Sequence, residues 1–200
     1  LPPTPSSDTM RRHMPDKVHI HLNRCVHLAR RNACFERGLE LLCVPTRDLS
    51  ARNRLEHIDR VVQLLKKANE HAYLAARATD VRPREKDFIH FLELILDAVG
   101  SIQFMMQHQV HLEQEESFLC RFLETNSEES LLPARHYQRR ADDLMEGLWE
   151  LFRLVAKPYR MLEDETAQDF SEDERKRYEH AYNTLRPELI ELFPGPDNGS

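Results

Sequence analysis

The sequence predicts an all-α protein, an up-and-down bundle of about five main helices around one long central helix. Three observations carry this. Glycine is scarce, 5 in 200 residues, and the 11 prolines gather at the start, the end and the breaks. Apolar residues recur at helical rather than alternating spacing through most of the chain. The stretch Pro83–Glu124 holds the densest apolar content and suits one very long helix or two nearly collinear ones.

Length and charge bound the rest. Two hundred residues suit one domain with tails, large enough to bury a core without staples. The net charge of −6 is modest and the two signs are interspersed, which argues against a nucleic-acid binder. No run of about 18 uninterrupted apolar residues occurs, so no membrane span and no secretory leader are expected. The four cysteines, Cys25, Cys34, Cys43 and Cys120, form no C-x-x-C pair. Buried, reduced thiols in a cytoplasmic or nuclear protein are the expectation. The leucine at position 1 suggests a piece of a longer protein.

Residues 1–15, rich in Pro and Ser, are expected to be a disordered linker, residues 16–194 a single helical-bundle domain, and residues 195–200 a disordered tail. Asp16 can cap a first helix whose apolar positions Val18, Leu22, Cys25, Val26, Ala29, Ala33, Leu39 and Leu42 run to about Cys43, where Pro45 ends it. Asp48 or Ser50 can cap a second helix, striped by Leu55, Ile58, Val62, Leu65 and Tyr73 with Ala68, Ala72 and Ala76 beside them. Pro83 suits the first turn of the third. Phe88, Leu92, Ile95, Val99, Ile102, Met106 and Val110 then fall on one face at 100° per residue. Beyond Val110 the stripe moves to Leu112, Leu119, Phe122 and Leu123, nearly opposite. The long helix therefore bends near residues 107–112, kinks at Gly100, or meets different neighbours along its two halves. After the loop Thr125–Ser130, a fourth helix carries Tyr137, Ala141, Leu144, Leu148, Trp149, Leu151, Phe152 and Val155 to Pro158. An acidic connector follows. Ser171 and Glu174 form a Ser-x-x-Glu capping box for the last helix, where Tyr178, Ala181, Tyr182 and Leu185 precede Pro187.

Chemical motifs are sparse. There is no P-loop, G-x-G-x-x-G, G-x-S-x-G or HExxH, and no Cys–His zinc spacing. Phosphate cradles and nucleophile elbows need glycine at unusual backbone angles, and this chain has few to supply. An enzyme is not expected, nor any cofactor. His19, His21, Cys25 and His27 cluster in sequence without forming a four-ligand set. Arg30–Arg31 and Arg139–Arg140 suit solvated faces. Phe104 with Met105 and Met106 suits either an adaptable binding patch or, for Met106, the core.

One constellation stands apart. In the segment HLEQEESFLCRFLE, His111–Glu124, a helix brings His111 and Glu115 onto one side, with His108 within a turn. Here the chain resembles the hemerythrin-like family, whose pattern is a His, an acidic pair four and five residues on, and an apolar helix end. The resemblance implies a di-iron or oxygen-sensing bundle, with His57, His108, His111, Glu115 and His136 as its candidate ligands. The last helix departs from that pattern, with Thr184 four residues after His180. The residues read by themselves give an exposed hydrogen-bonded pair and no metal.

The function expected is a non-catalytic adaptor or scaffold domain of an intracellular protein, binding another protein's helix or linear motif in a groove between helices. The binding residues are not legible. A hemerythrin-like metal site and a purely architectural segment are the alternatives.

Overall fold

A computed structural model describes residues 14–77, 83–123, 136, 139–143, 146–147 and 170–196, with side chains from residue 24 in the first segment and over 85–114 in the second. The fold is all-α, with no strand among the described residues. Helices α1 (Met14–Leu42), α2 (Ala51–Arg77), α3 (Pro83–Leu123) and α4 (Glu172–Leu192) are joined by helical residues around Ala141. The segment VHIHL, which alone could pass for a strand, is helical. α1 begins at Met14, inside the expected linker; residues 1–13, the acidic connector before Phe170 and the Trp149–Phe152 segment lie outside the described residues.

Local chemistry sets the helix ends. At α2, Asn53 N–H donates to the Ser50 hydroxyl at 3.3 Å, so Ser50 is the N-cap. α3 starts at Pro83, whose missing N–H is no loss in a first turn. At α4 the capping box is complete: Glu174 N–H donates to Ser171 Oγ, and Ser171 N–H donates to Glu174 Oε2 at 2.8 Å. Glu172, Asp173 and Glu174 add negative charge where the helix dipole is positive. Pro187 lies within α4, which continues to Leu192.

The helices pack in the sequence α4–α1–α2–α3. His57 of α2 meets Leu41 of α1, and His71 meets His27, so these two helices are antiparallel. Gln103 bonds Asp59 at 2.6 Å and Glu93 bonds Tyr73, so α3 runs antiparallel to α2. By contrast, α4 runs parallel to α1: Asn32, Glu36 and Glu40 meet Tyr178, Tyr182 and Arg186 in steps of four. The first turns of α3 also touch α1. Phe35 and Phe88 meet edge to face at 5.3 Å, Arg31 lies over the Phe88 ring at 4.6 Å, and Arg24 pairs with Glu85.

The core follows from this order. α2 is flanked on two sides, so its buried face is wide: Ile58, Val61, Val62, Leu64, Leu65, Ala68, Ala72, Ala75 and Ala76. Val61 and Leu64 fall outside the single stripe that the sequence suggests. Tyr73, expected on that stripe, is instead largely exposed. On α3 the stripe Phe88, Leu92, Ile95, Val99, Ile102 and Met106 is buried as expected, while Val110 is half-buried. α3 is one helix without interruption at Gly100 or at 107–112. Its 41 residues span about 62 Å against about 40 Å for the 27 of α2. The shared register brings Ala51, the first residue of α2, beside the turn at 111–115 of α3. The last turns of α3 extend past α2.

Two expectations need correction. Cys25 and Cys34 are buried free thiols, and burial pushes Cys34 up to about 11. Cys43 is exposed, because α1 ends at Leu42 and the chain turns there, Val44 N–H donating to Leu41 O. Arg31 is buried over Phe88 rather than solvated, because the first turns of α3 reach α1 there.

α1 and α2 approach closely at Gly38, which is buried; a Cβ there would lie 3.1 Å from Leu65 Cδ2, itself fully buried. A Cβ at Gly100 would meet nothing within 4 Å. The two glycines should therefore respond oppositely. Gly100→Ala is expected to stabilise by up to about 1 kcal/mol through helix propensity. Gly38→Leu should destabilise by about 1–3 kcal/mol or more, since the added atoms have no room. Urea unfolding of both variants checks the pair of signs.

Candidate functional site

The candidate ligands of the hemerythrin-like reading take separate places. His57 is 2% exposed, and its Nε2–H donates to the carbonyl of Leu41 at 2.7 Å. That carbonyl, in the last turn of α1, also accepts from Val44 N–H, so it serves two donors. Its Nδ1 is buried without a hydrogen-bond partner. His108 and His111 lie on the solvent side of α3, opposite the buried stripe, and His108 stacks on Phe104 at 6.2 Å. His136 is also exposed. The side chain of Glu115 lies outside the described residues. Buried His57 and the exposed pair thus occupy different faces, and no group of three His, Cys, Asp or Glu side chains among the described residues is placed to hold a metal ion. A di-iron centre does not fit the described residues.

A second pair of histidines does come together. His27 Nδ1 and His71 Nδ1 are 3.2 Å apart across the α1–α2 seam, with ring centroids 5.4 Å apart. Burial holds both below the usual imidazole range; Arg30 lowers both further, and Glu70 opposes it. Lys67 and the partner ring also lower His71. His57 is lowered chiefly by burial, against its bond to Leu41.

The third feature is the outer face of α3. Leu94 is 54% exposed and Phe104 66%, the largest apolar exposures among the described side chains of this helix. They lie about 80° apart around a helix at 100° per residue. Between and beside them a shallow depression is lined by Leu96, Asp97, Gly100, Ser101, Phe104 and Met105. Gly100 forms its floor with open space above it. Met106 is buried and Met105 half-buried, so the Met pair divides between core and edge.

No family model, curated protein or solved structure matches this chain. The hemerythrin-like resemblance accordingly rests on the 14 residues His111–Glu124 alone. The expectation about membranes also needs correction: within Glu85–Gln114 the mean hydropathy and length suffice for a span. Charged interruptions at Glu93 and Asp97 break the apolar run without lowering the window average enough. In the fold one face of this helix is the core stripe against α2, and 28% of the apolar window is buried.

Phe104 and Leu94 were accessible to sequence reasoning. Both fall off the stripe Phe88–Met106, and a large apolar residue off the buried face is the signal that was there to use. His71 offered none, since its partner is 44 residues away.

Stability should depend on pH through three histidines. His27, His57 and His71 have folded values lowered from 6.5. Their neutral forms favour the fold; the unfolded chain takes up protons first as pH falls. Their contribution is complete above about pH 6.5 and is lost as pH falls through the lowered folded values. Glu40 adds a later loss. Burial would raise it, but hydrogen bonds from Arg37 and Arg186 lower it net, so its contribution fades only below the ordinary carboxylate range. Urea midpoints should be flat from pH 8 to about 7 and decline between about 6.5 and 5. A midpoint that rose on acidification through that window would contradict the burial of these rings.

Proposed function

We propose that this chain is a non-catalytic interaction module, acting inside the cell, which binds a helix of a partner protein along the outer face of α3. One observation carries the reading: Leu94 and Phe104 stand largely in water on a helix whose opposite face is fully used by the core. Full burial of such a side chain contributes about 1.5–3 kcal/mol. Single exposed apolar residues are ordinary. Here Phe104 borders a shallow depression that Gly100 and Ser101 also line, with Leu94 exposed on the same helix. That is the shape a knob from a second helix requires, a small residue ringed by larger ones. Asp97 on the rim favours a partner with a basic residue at that edge. Free thiols at Cys25 and Cys34 suit a reducing compartment.

Phe104→Glu and Leu94→Glu test this. Both positions are exposed, so folding stability should change by no more than about 0.5 kcal/mol. Pull-down of interacting proteins, followed by titration of the helical peptide mapped from the partner, should show binding weakened at least tenfold by each variant, as for loss of about 1.4 kcal/mol or more. A partner bound equally well by wild type and both variants would place the interface elsewhere.

A further inference from the structure

We infer that His27 and His71 form a clip for one divalent transition-metal ion that joins α1 to α2. The antiparallel packing of the two helices brings the rings together from positions 44 residues apart, Nδ1 facing Nδ1 at 3.2 Å. With metal–nitrogen bonds of about 2.0–2.1 Å, that separation sets a nitrogen–metal–nitrogen angle of about 100°, between the square-planar and tetrahedral values. The same bond lengths require ring centroids about 5 Å apart. They stand at 5.4 Å, tilted by 30°, so each ring turns to aim its Nδ1 lone pair at a shared ion beside the seam.

The chemistry balances without loss of a proton. In the metal-free pair one neutral ring donates its Nδ1–H to the lone pair of the other. When an ion enters, the donor ring carries its proton on Nε2 instead, and both Nδ1 lone pairs turn to the metal. Burial and Arg30 keep both rings neutral near neutral pH, so the ion does not compete with protons there. Both residues are half-buried rather than sealed, which leaves a path for the ion and for water to fill its other positions. Glu70 lies close enough to attract a cation, whereas Arg30 and Lys67 repel one. This balance selects ions for which imidazole is a strong ligand, zinc and copper, over magnesium and calcium, which need oxygen ligands. The clip is independent of the His111 segment and of the outer face of α3.

The test is the melting temperature at neutral pH with saturating zinc chloride or magnesium chloride, for wild type, His27→Gln, His71→Gln and the exposed control His90→Gln. An ion that binds only the folded chain raises its melting point. Zinc should raise wild type and His90→Gln by roughly 5 °C, magnesium should raise neither, and both clip variants should lose the rise. Calorimetric titration should give one zinc per wild-type chain and at least tenfold weaker binding to His27→Gln, which carries the test if His71→Gln does not fold. No rise in wild type, an equal rise with magnesium, or an undiminished zinc response in His27→Gln would each overturn the clip.

Discussion

The structure depends on the seam between α1 and α2. Small residues are buried on both helices, Gly38 on one and Ala68, Ala72 and Ala75 on the other. Small side chains let helix axes approach, and the approach distance fixes what else can face across. At Gly38 the backbone of α1 lies against Leu65, so even a Cβ there would press on that side chain at 3.1 Å. That register sets Leu41 over His57 at one end and His27 against His71 toward the other. With one side of α2 committed to α1, α3 can bury only the stripe that faces the other side, and its remaining surface is left to solvent.

The junction of α1 with α4 is of a different kind. α4 buries little beyond Leu189, and Phe193 follows it into the core. Polar groups make the rest. Arg186 donates to Glu36 at 2.7 Å and to Glu40 at 2.5 Å, Tyr182 donates to Glu36, and Arg37 donates to the carbonyl of Phe193 at 2.6 Å. Glu36, Glu40 and Arg186 remain about one-third exposed, so each pair alone contributes little. Their value is that each group serves two partners at a fixed parallel register. Burial and the Glu36 carboxylate together push Tyr182 well above the usual phenol range, which keeps its hydroxyl a donor. The Ala141 segment is held in a third way. Arg54, 2% exposed, pairs with Asp142 while its Nε and Nη1 find no partner. Removing one member of such a buried pair costs about 3–5 kcal/mol, mostly for the charge left behind.

Much of this was legible from the sequence. The helical stripe of α3 from Phe88 to Met106, the Ser50 cap, Pro83 as a first residue and the Ser171–Glu174 box depend on spacing within a few residues, and short-range rules capture them. What was missed depends on neighbours. Val61 and Leu64 are buried because α2 is flanked on two sides, which no single-helix period reveals. Arg31 is buried because Phe88 of α3 reaches α1 from far along the chain. The candidate site divided the same way. A helical wheel shows His111 and Glu115 on one side, but whether that side faces core or solvent is set by α2, and α2 takes the opposite face. His27 and His71 meet only through tertiary packing, which no local motif shows.

An ordered core of α1 and α2, with α3 attached by one face, makes a specific statement about local stability. Native-state hydrogen exchange measures it residue by residue. Amides in the interior of α1 over 28–40 and of α2 over 55–74 should exchange only through global unfolding. Amides of α3 beyond about residue 112, past the end of α2, should open at markedly lower free energy. Protection that is greatest along the last turns of α3, or equal across all four helices, would contradict an α1–α2 seam as the foundation of this fold.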